Sequence, residues 1–415
     1  MIRYRFFVIA LFGISLFLAP LAAGNASTED VKILKLGNTV PMQTKEGVQI
    51  KRWLEYLAER LNKSGGLVVK GQKYNVEIIS YDDEYSAEKG KACAEKLIYQ
   101  DGVKHIICQW GSPPILATVG VAEANKVLMI CDGATEKTMQ PKYHYLYRCP
   151  SLFWTNGYQQ EYIDIMKKKG IPMTAVIISP DSASGHGAAK RRAKHYKNIG
   201  IKILDTLFYK QGTTDYTPYA TKIKSINPGF VESGTTTAGM PTLLLAKALY
   251  QVGYKGGMIF NSLGSCYQEV VEKLGPEAIE GAFCDIRDPR LYRNDEWVAE
   301  LCNGYEAKYG AWETDAVAWI SGWFVFMEAV KRADSLDVDD LCKVLDGMEV
   351  DTLVAKNRFV ARPDKNNPRT CDSVPQQTPG VIENGKLKLI RLMSIDENYD
   401  KTIRAYGLEK EYGLK

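Results

Sequence analysis

Two short turns carry hydroxyl and small residues, and each follows an apolar run that predicts a buried strand. Ser112 lies in the turn after Val103–Cys108, and Gly133-Ala134-Thr135 is the turn after Val127–Cys131. Hydroxyl groups and backbone N–H groups at helix N-termini can bind an anion without a cationic side chain. Serine and threonine also cap helices for structural reasons alone, so a single turn leaves both interpretations open. Two such turns on adjacent strands favour a binding site.

The segment between the turns places both of them at one edge of a sheet. Ile115–Asn125 carries apolar residues at helical spacing, which makes the whole stretch strand, turn, helix, strand, turn. A βαβ unit with short connections brings both turns to the carboxyl edge of a parallel sheet. Ligands bind at that edge in open α/β folds.

The alternation of strands and helices runs through the chain twice, once before Cys149 and once after it. This repetition predicts an α/β protein made of two doubly wound parallel-sheet lobes. We expect the first passage between the lobes at Cys149–Ser151. Neither half contains the Gly-x-Gly-x-x-Gly spacing of a dinucleotide site, and no cofactor is expected. Near the C-terminus, Asn384-Gly385 is a strong hairpin-turn signal.

Composition narrows the class of protein. The 415 residues are 45% hydrophobic and 25% charged, which is typical of globular domains and enough for two of them. The net charge of +4 is small for this length, and no long basic run occurs. The composition therefore gives no reason to expect nucleic acid as a partner.

The N-terminus has the order of a secretory signal peptide. Arg3 and Arg5 precede the apolar run Phe6–Ala19, and Pro20 and several small residues follow it. We place the signal peptide at residues 1–26, with cleavage between residues 22 and 26. A signal anchor is the alternative, but the run is short for a membrane span. Asn25 stands where a lipoprotein would carry its lipidated cysteine, so the mature chain is expected to be exported without a lipid anchor.

Neither the cysteines nor the histidines indicate metal binding or catalysis. The odd number of cysteines leaves at least one unpaired within a monomer, the pairing cannot be read from the sequence, and no zinc-type spacing occurs. Cys108 and Cys131 lie in strand patterns and are expected in the core. Ser112 is not in a Gly-x-Ser-x-Gly elbow, and no carboxylate pair is marked by its spacing. His186 is the one histidine in a loop expected to face a cleft. We therefore do not expect an enzyme.

The order of elements resembles a periplasmic solute-binding protein of the branched-chain amino-acid type, the binding component of an ABC importer. The resemblance covers essentially the whole mature chain, and its most specific parts are Lys73–Asp83, Asp101–Thr135 and Gly281-Ala282-Phe283. It implies a type I periplasmic binding fold, in which three crossovers join two lobes that close on the ligand. We expect residues 27–149 plus 282–353 in lobe 1, and residues 150–281 plus 354–415 in lobe 2.

The resemblance also implies where a ligand carboxylate binds. Gly111-Ser112 matches the serine turn of the first lobe, and Gly133-Ala134-Thr135 matches its Gly-Ala-Thr turn. In the second lobe, Ser184 stands where the family often has an aromatic residue. Leu263 stands where amino-acid binders have an acidic residue for the ammonium group. Thr237, in the small-residue loop after the 230–232 strand, is a further candidate contact.

These departures shape the expected ligand. Because Leu263 offers no carboxylate, an unpaired ammonium group would be costly to bury. Trp110, Phe153 and Trp154 add aromatic side chains, although core packing would also explain them. We expect a small carboxylate, either a branched-chain amino acid or an apolar or aromatic acid, held at its anionic end by Ser112 and Thr135. The implied partners are the permease and ATPase of an ABC importer in a periplasmic setting. A ligand-sensing subunit of a signalling receptor is the alternative.

Overall fold

The computed structural model describes residues 30–132, 135–210, 212–233, 240–313 and 316–414, with the backbone alone at residues 155, 156, 183, 184 and 265. The predicted signal peptide, Gly133, Ala134 and Thr237 lie outside the described residues.

Strands and helices alternate through most of the chain. The strands are β1 (Lys32–Val40), β2 (Leu67–Val69), β3 (Gln72–Asp82), β4 (His105–Gln109), β5 (Leu128–Cys131), β6 (Leu146–Arg148), β7 (Thr174–Pro180), β8 (Lys202–Tyr209), β9 (Phe230–Ser233), β10 (Gly257–Phe260), β11 (Phe283–Asp285), β12 (Glu349–Asp351), β13 (Lys356–Arg362), β14 (Asn367–Pro375), β15 (Pro379–Glu383) and β16 (Lys386–Leu389). The helices are α1 (Lys45–Lys63), α2 (Ala87–Tyr99), α3 (Ser112–Ala124), α4 (Gln159–Lys168), α5 (Ala183–Asn198), α6 (Thr217–Ile226), α7 (Met240–Gln251), α8 (Leu263–Leu274), α9 (Glu296–Tyr309), α10 (Ser321–Ala333), α11 (Val338–Leu345), α12 (Ile395–Tyr406) and α13 (Glu409–Tyr412).

The strands form two sheets, which confirms the predicted α/β fold with two lobes. The first sheet has the order β12-β13-β14-β6-β5-β4-β1-β3-β2, and the second has the order β16-β15-β11-β10-β9-β7-β8. The central strands of both sheets are parallel, and β14 also pairs parallel with β6. The pairs β12–β13, β13–β14, β11–β15 and β15–β16 are antiparallel. Each sheet has helices packed on it, with hydrophobic cores between them.

The chain passes between the sheets three times, as the resemblance implies. The passages follow β6, β11 and β14. Sheet membership differs from the expected lobe boundaries in two places. Residues 283–285 pair with β10 in the second sheet before the chain crosses, and residues 356–375 form a hairpin that extends the first sheet beside β6. The sequence pattern predicts neither the 356–375 hairpin nor the sheet that residues 283–285 join.

Local signals place several elements correctly. Ser86 caps α2, and its side chain accepts a hydrogen bond from the Lys89 backbone N–H. The Asn384-Gly385 turn joins β15 to β16, with φ values of 53° and 69°. Helix α5 begins at Ala183. Ser182 caps it, and the glycines of its first turns weaken the helical signal in the sequence.

Candidate functional site

The carboxyl edges of the two sheets lie opposite each other. Lys45, at the start of α1, has its Nζ 3.8 Å from Oε2 of Glu269 on α8. Arg287, just after β11, has its guanidinium carbon 5.4 Å from the ring centre of Trp319. Both contacts join a segment that follows a strand of one sheet to a segment of the other lobe. We call the space between these edges the cleft.

Ser112 is the first residue of α3 and offers a hydroxyl at the first-sheet edge of the cleft. It is half-buried, and no described residue forms a hydrogen bond with its Oγ. Pro113 and Pro114 have no N–H, and the Ile115 N–H bonds to the Gly111 carbonyl at 3.2 Å. The first turn of α3 therefore presents one backbone N–H and one hydroxyl, both from Ser112.

Thr135 is held on the neighbouring strand end by two hydrogen bonds to its carbonyl oxygen. Arg148 Nη1 donates at 2.9 Å and Thr138 Oγ1 donates at 2.8 Å. The Thr135 hydroxyl accepts a hydrogen bond from the Lys137 backbone N–H at 3.3 Å and caps a short 3₁₀ turn. These bonds fix the backbone direction at the end of the predicted Gly-Ala-Thr turn.

A buried ion network supports this turn from behind. Arg148 Nε and Nη2 lie 2.9 Å and 2.7 Å from the two oxygens of Asp372, and Arg362 Nη1 lies 2.8 Å from Asp372 Oδ2. Glu136 accepts from both arginines. Burial alone would raise the pKa of Asp372, but the two guanidinium groups outweigh it and the pKa is lowered. The network links the Thr135 turn to the strands that carry the third passage.

Trp110 lies in an aromatic group that the sequence did not reveal. Its ring centre is 5.5 Å from that of Tyr85 and 6.5 Å from that of Trp319. A Cβ atom on Gly111 would stand 2.7 Å from the Tyr85 ring, and Gly111 has a φ of 101°. The glycine before Ser112 therefore allows Tyr85 to pack against the turn. All three rings are partly exposed.

Phe153 and Trp154 lie in a different place from Trp110. Phe153 stacks on Tyr406 of α12 at 4.9 Å, and the Arg362 guanidinium lies 3.7 Å above its ring centre. Trp154 is fully buried and donates from Nε1 to Asp372 at 3.1 Å. These contacts are typical of core packing. They lie where the first passage meets the C-terminal helices.

The predicted second-lobe contacts are less exposed. The Leu263 side chain is fully buried in the lobe core, so only its backbone at the start of α8 could reach a ligand. The Ser184 backbone lies in the first turn of α5. A buried carboxylate missed by the sequence, Glu232 at the end of β9, is engaged by Arg192 Nε and Asn261 Nδ2, each at 2.9 Å. It is thus committed to structural partners.

Buried acidic groups lie beside the aromatic group. Asp83 is fully buried and accepts from Thr39 Oγ1 and from the Tyr85 backbone N–H, each at 2.9 Å. Burial raises its pKa from 3.8 to about 6. Burial, followed by the charges of Asp132, Asp83 and Glu46, raises the pKa of the Tyr85 hydroxyl to about 12. These carboxylates disfavour ionisation of the Tyr85 hydroxyl.

Comparison with known proteins settles the family. A family model described as periplasmic binding protein matches residues 46–374. The chain belongs to the periplasmic binding protein family. The Leu/Ile/Val-binding protein homolog 3 of Brucella melitensis is 22% identical to this periplasmic binding protein over 358 residues, covering 85% of this chain and 93% of the relative. Within the described part of the chain, no helix has both the length and the apolar character needed to cross a membrane.

Solved structures share the fold of this periplasmic binding protein. The leucine-binding protein LivK of Thermotoga maritima has a TM-score of 0.69 at 17% identity, covering 88% of this chain and 99% of its own. An R. palustris ABC-transporter solute-binding protein, solved in complex with benzoate, has a TM-score of 0.69 at 16% identity, covering 87% and 96%. At these identities the likeness establishes the type I architecture of two lobes.

Proposed function

We propose that this periplasmic binding protein is the extracytoplasmic solute-binding component of an ABC importer and that it binds a small carboxylate in the cleft. The Ser112 hydroxyl and N–H, together with the Thr135 turn, would hold the carboxylate at the first-sheet edge. The observation that carries this is the half-buried Ser112 hydroxyl, with no hydrogen-bond partner among the described residues, at the start of a helix. The permease, the ATPase and the periplasmic location are part of this proposal.

The body of the ligand would lie against the rings of Trp110, Tyr85 and Trp319. These rings come from three separate segments and remain partly exposed at the same edge. Partly exposed aromatic rings stabilise apolar or aromatic ligands by burial and by stacking. A structural relative was solved with benzoate, and a curated relative is named for leucine, isoleucine and valine, which supports an apolar or aromatic acid here.

Closure of the two lobes would retain the ligand. The passages after β6, β11 and β14 are short connections about which the lobes could turn. The Lys45–Glu269 contact, which joins the two edges at 3.8 Å, would help to hold the lobes together around the ligand. Leu263 and the start of α5 would contribute backbone N–H groups from the second lobe, and Thr237 stays a candidate there.

Two measurements test the proposal. The protein is purified without added ligand, and the small molecules released on denaturation are identified by mass spectrometry. The protein is then titrated calorimetrically with benzoate and with leucine. We expect a carboxylate among the released molecules and saturable binding of at least one acid. Release of a compound without an acid group, with no heat from either probe, would contradict the proposal.

A further inference from the structure

One end of the second lobe carries a dense group of lysine side chains. Residues 165–204 contain nine lysine or arginine residues and one acidic residue, Asp181, although the net charge of the whole chain is only +4. Arg192 is buried against Glu232, whereas the lysines of this segment are exposed. The positive charge is therefore concentrated on one surface, and the net charge of the chain does not reveal it.

Strand pairing brings six of these lysines to the same end of the lobe. Helix α4 leads into β7 and helix α5 leads into β8, and the first residues of these parallel strands, Thr174 and Lys202, are paired. The C-terminal ends of both helices therefore lie side by side. Because the cleft lies at the carboxyl ends of the strands, this surface is on the far side of the lobe from it. We call it the basic end, and its lysines are Lys167, Lys168, Lys169, Lys194, Lys197 and Lys202.

Neighbouring carboxylates do not neutralise the basic end. None of its six lysines forms an ion pair with a residue that the structure describes. On α4, Glu161 lies 2.7 Å from Lys401 Nζ, and Asp164 accepts a hydrogen bond from a glutamine of its own helix. On α12, which bonds to the end of α5, Asp400 lies 2.9 Å from Arg404 Nε. The acidic groups of the adjoining helices are thus engaged elsewhere.

Helix stabilisation explains only part of this pattern. Cations in the last turn of a helix interact favourably with its macrodipole, which would account for Lys167, Lys168 and Lys197. Lys190 in the middle of α5 and Lys202 at the start of β8 have no such role. The pattern as a whole therefore indicates a negatively charged partner.

The composition of the basic end favours an anionic lipid surface over an acidic protein. Its charges are all lysines, which act as point charges and lack the planar hydrogen-bonding fork of arginine. Among the described residues of α4, α5 and the turns that follow them, no large apolar side chain is exposed. The core of a protein interface is instead enriched in aromatic residues and arginine. Clusters of about four to eight basic residues attract the headgroups of anionic lipids.

We infer that the basic end of the second lobe docks on the surface of an anionic lipid bilayer. The headgroups contact the C-terminal halves of α4 and α5, and the cleft at the opposite edge of the sheet stays accessible to ligand. The inference goes beyond the proposed function, because it uses neither the cleft nor its ligand.

Sedimentation with lipid vesicles tests the inference. The purified protein is mixed with vesicles of phosphatidylcholine alone, or of phosphatidylcholine with about one-third phosphatidylglycerol, at ~100 mM salt, where the Debye length is about 10 Å. We expect at least tenfold tighter binding to the anionic vesicles, and we expect added salt to abolish it. Equal binding to the two kinds of vesicle would overturn the inference, and it is the result expected if the basic end binds an acidic protein instead.

Charge reversal locates the binding surface. A Lys194→Glu, Lys202→Glu double variant should bind the anionic vesicles at least tenfold more weakly than the parent protein. A Lys104→Glu, Lys331→Glu double variant is the control, because it makes the same change in net charge at exposed lysines of the first lobe. Its affinity should stay within twofold of the parent. Thermal melting shows that both variants are folded, and an equal loss of affinity in the two would overturn the inference.

Discussion

Arg148 donates a hydrogen bond from Nη1 to the Thr135 carbonyl oxygen at 2.9 Å, while its Nη2 lies 2.7 Å from Asp372 Oδ2. One fully buried side chain thus connects the predicted ligand turn to β14, the strand that leads into the third passage between the lobes. The ion network therefore lies where the first and third passages leave the first sheet.

Removing Arg148 should be costly. Arg148→Met leaves Asp372 buried with one guanidinium partner instead of two, and we expect a loss of about 3–5 kcal/mol in the free energy of unfolding. Arg332→Met removes an exposed arginine paired with Glu328 and should cost less than about 1 kcal/mol. Urea denaturation of both variants measures the difference. Equal losses would show that the buried network is not a principal support.

The glycine before Ser112 should be irreplaceable. In Gly111→Ala the new Cβ would meet the Tyr85 ring at 2.7 Å on a backbone with a φ of 101°, so both stability and binding of an acid probe should fall. Gly120→Ala, in the same α3 helix, meets nothing within 4 Å and should stabilise the protein by up to about 1 kcal/mol. Thermal melting and calorimetric titration compare the two. If the Gly111→Ala protein binds the acid probe with unchanged affinity, Tyr85 does not contribute to the binding site.

Phe153 distinguishes core packing from ligand contact. Phe153→Ala should lower the free energy of unfolding by about 3–5 kcal/mol, because the ring is buried between Tyr406 and Arg362. Its affinity for benzoate or phenylalanine should stay within twofold of the parent protein below the melting temperature. Tyr250→Ala, an exposed ring on α7, is the control for truncation and should change neither quantity. If Phe153→Ala loses affinity without losing stability, Phe153 contacts the ligand.

Asp83 predicts a dependence of stability on pH. The unfolded chain ionises Asp83 near pH 3.8 and the folded chain near pH 6, so the folded protein keeps the extra proton between these values. Ionisation of Asp83 therefore reduces stability as pH rises from about 4 to 6, and the loss persists above that range. Asp83→Asn lacks this loss, so its stability relative to the parent should improve between pH 4.5 and pH 7.5. Urea denaturation of both proteins at the two pH values measures this change. If the difference in the free energy of unfolding between Asp83→Asn and the parent is the same at both pH values, the raised pKa of Asp83 is contradicted.

The sequence predicted the parts of the site that depend on local patterns. Apolar runs and turn residues predicted a βαβ unit with Ser112 after its first strand and Thr135 after its second. The first sheet contains this unit as β4, α3 and β5. Trp319 shows the limit of periodicity. It fits the apolar stripe of a helix from residue 316, but α10 begins at Ser321 and the tryptophan turns toward Trp110 instead.

Buried charges could not be predicted from the sequence. Arg148 and Asp372 are 224 residues apart in the chain. From the sequence alone, each would be expected on the surface, because it is charged. Arg192 on α5 and Glu232 at the end of β9 are likewise buried as a pair. Burial of either charge alone would be strongly unfavourable, so the two are buried as a pair. The pairing depends on the fold and not on any local sequence pattern. The acidic surroundings of Tyr85 also depend on contacts among separate segments.

Ser112 and Thr135 are proposed to hold the carboxylate of the ligand. Calorimetric titration of a Ser112→Ala, Thr135→Val double variant with phenylalanine, benzoate and leucine tests this role, with Ser225→Ala as an exposed-hydroxyl control on α6. We expect every acid that binds the parent protein to bind the double variant at least tenfold more weakly, and the control to match the parent. Undiminished affinity for those acids in a folded double variant would contradict the claim.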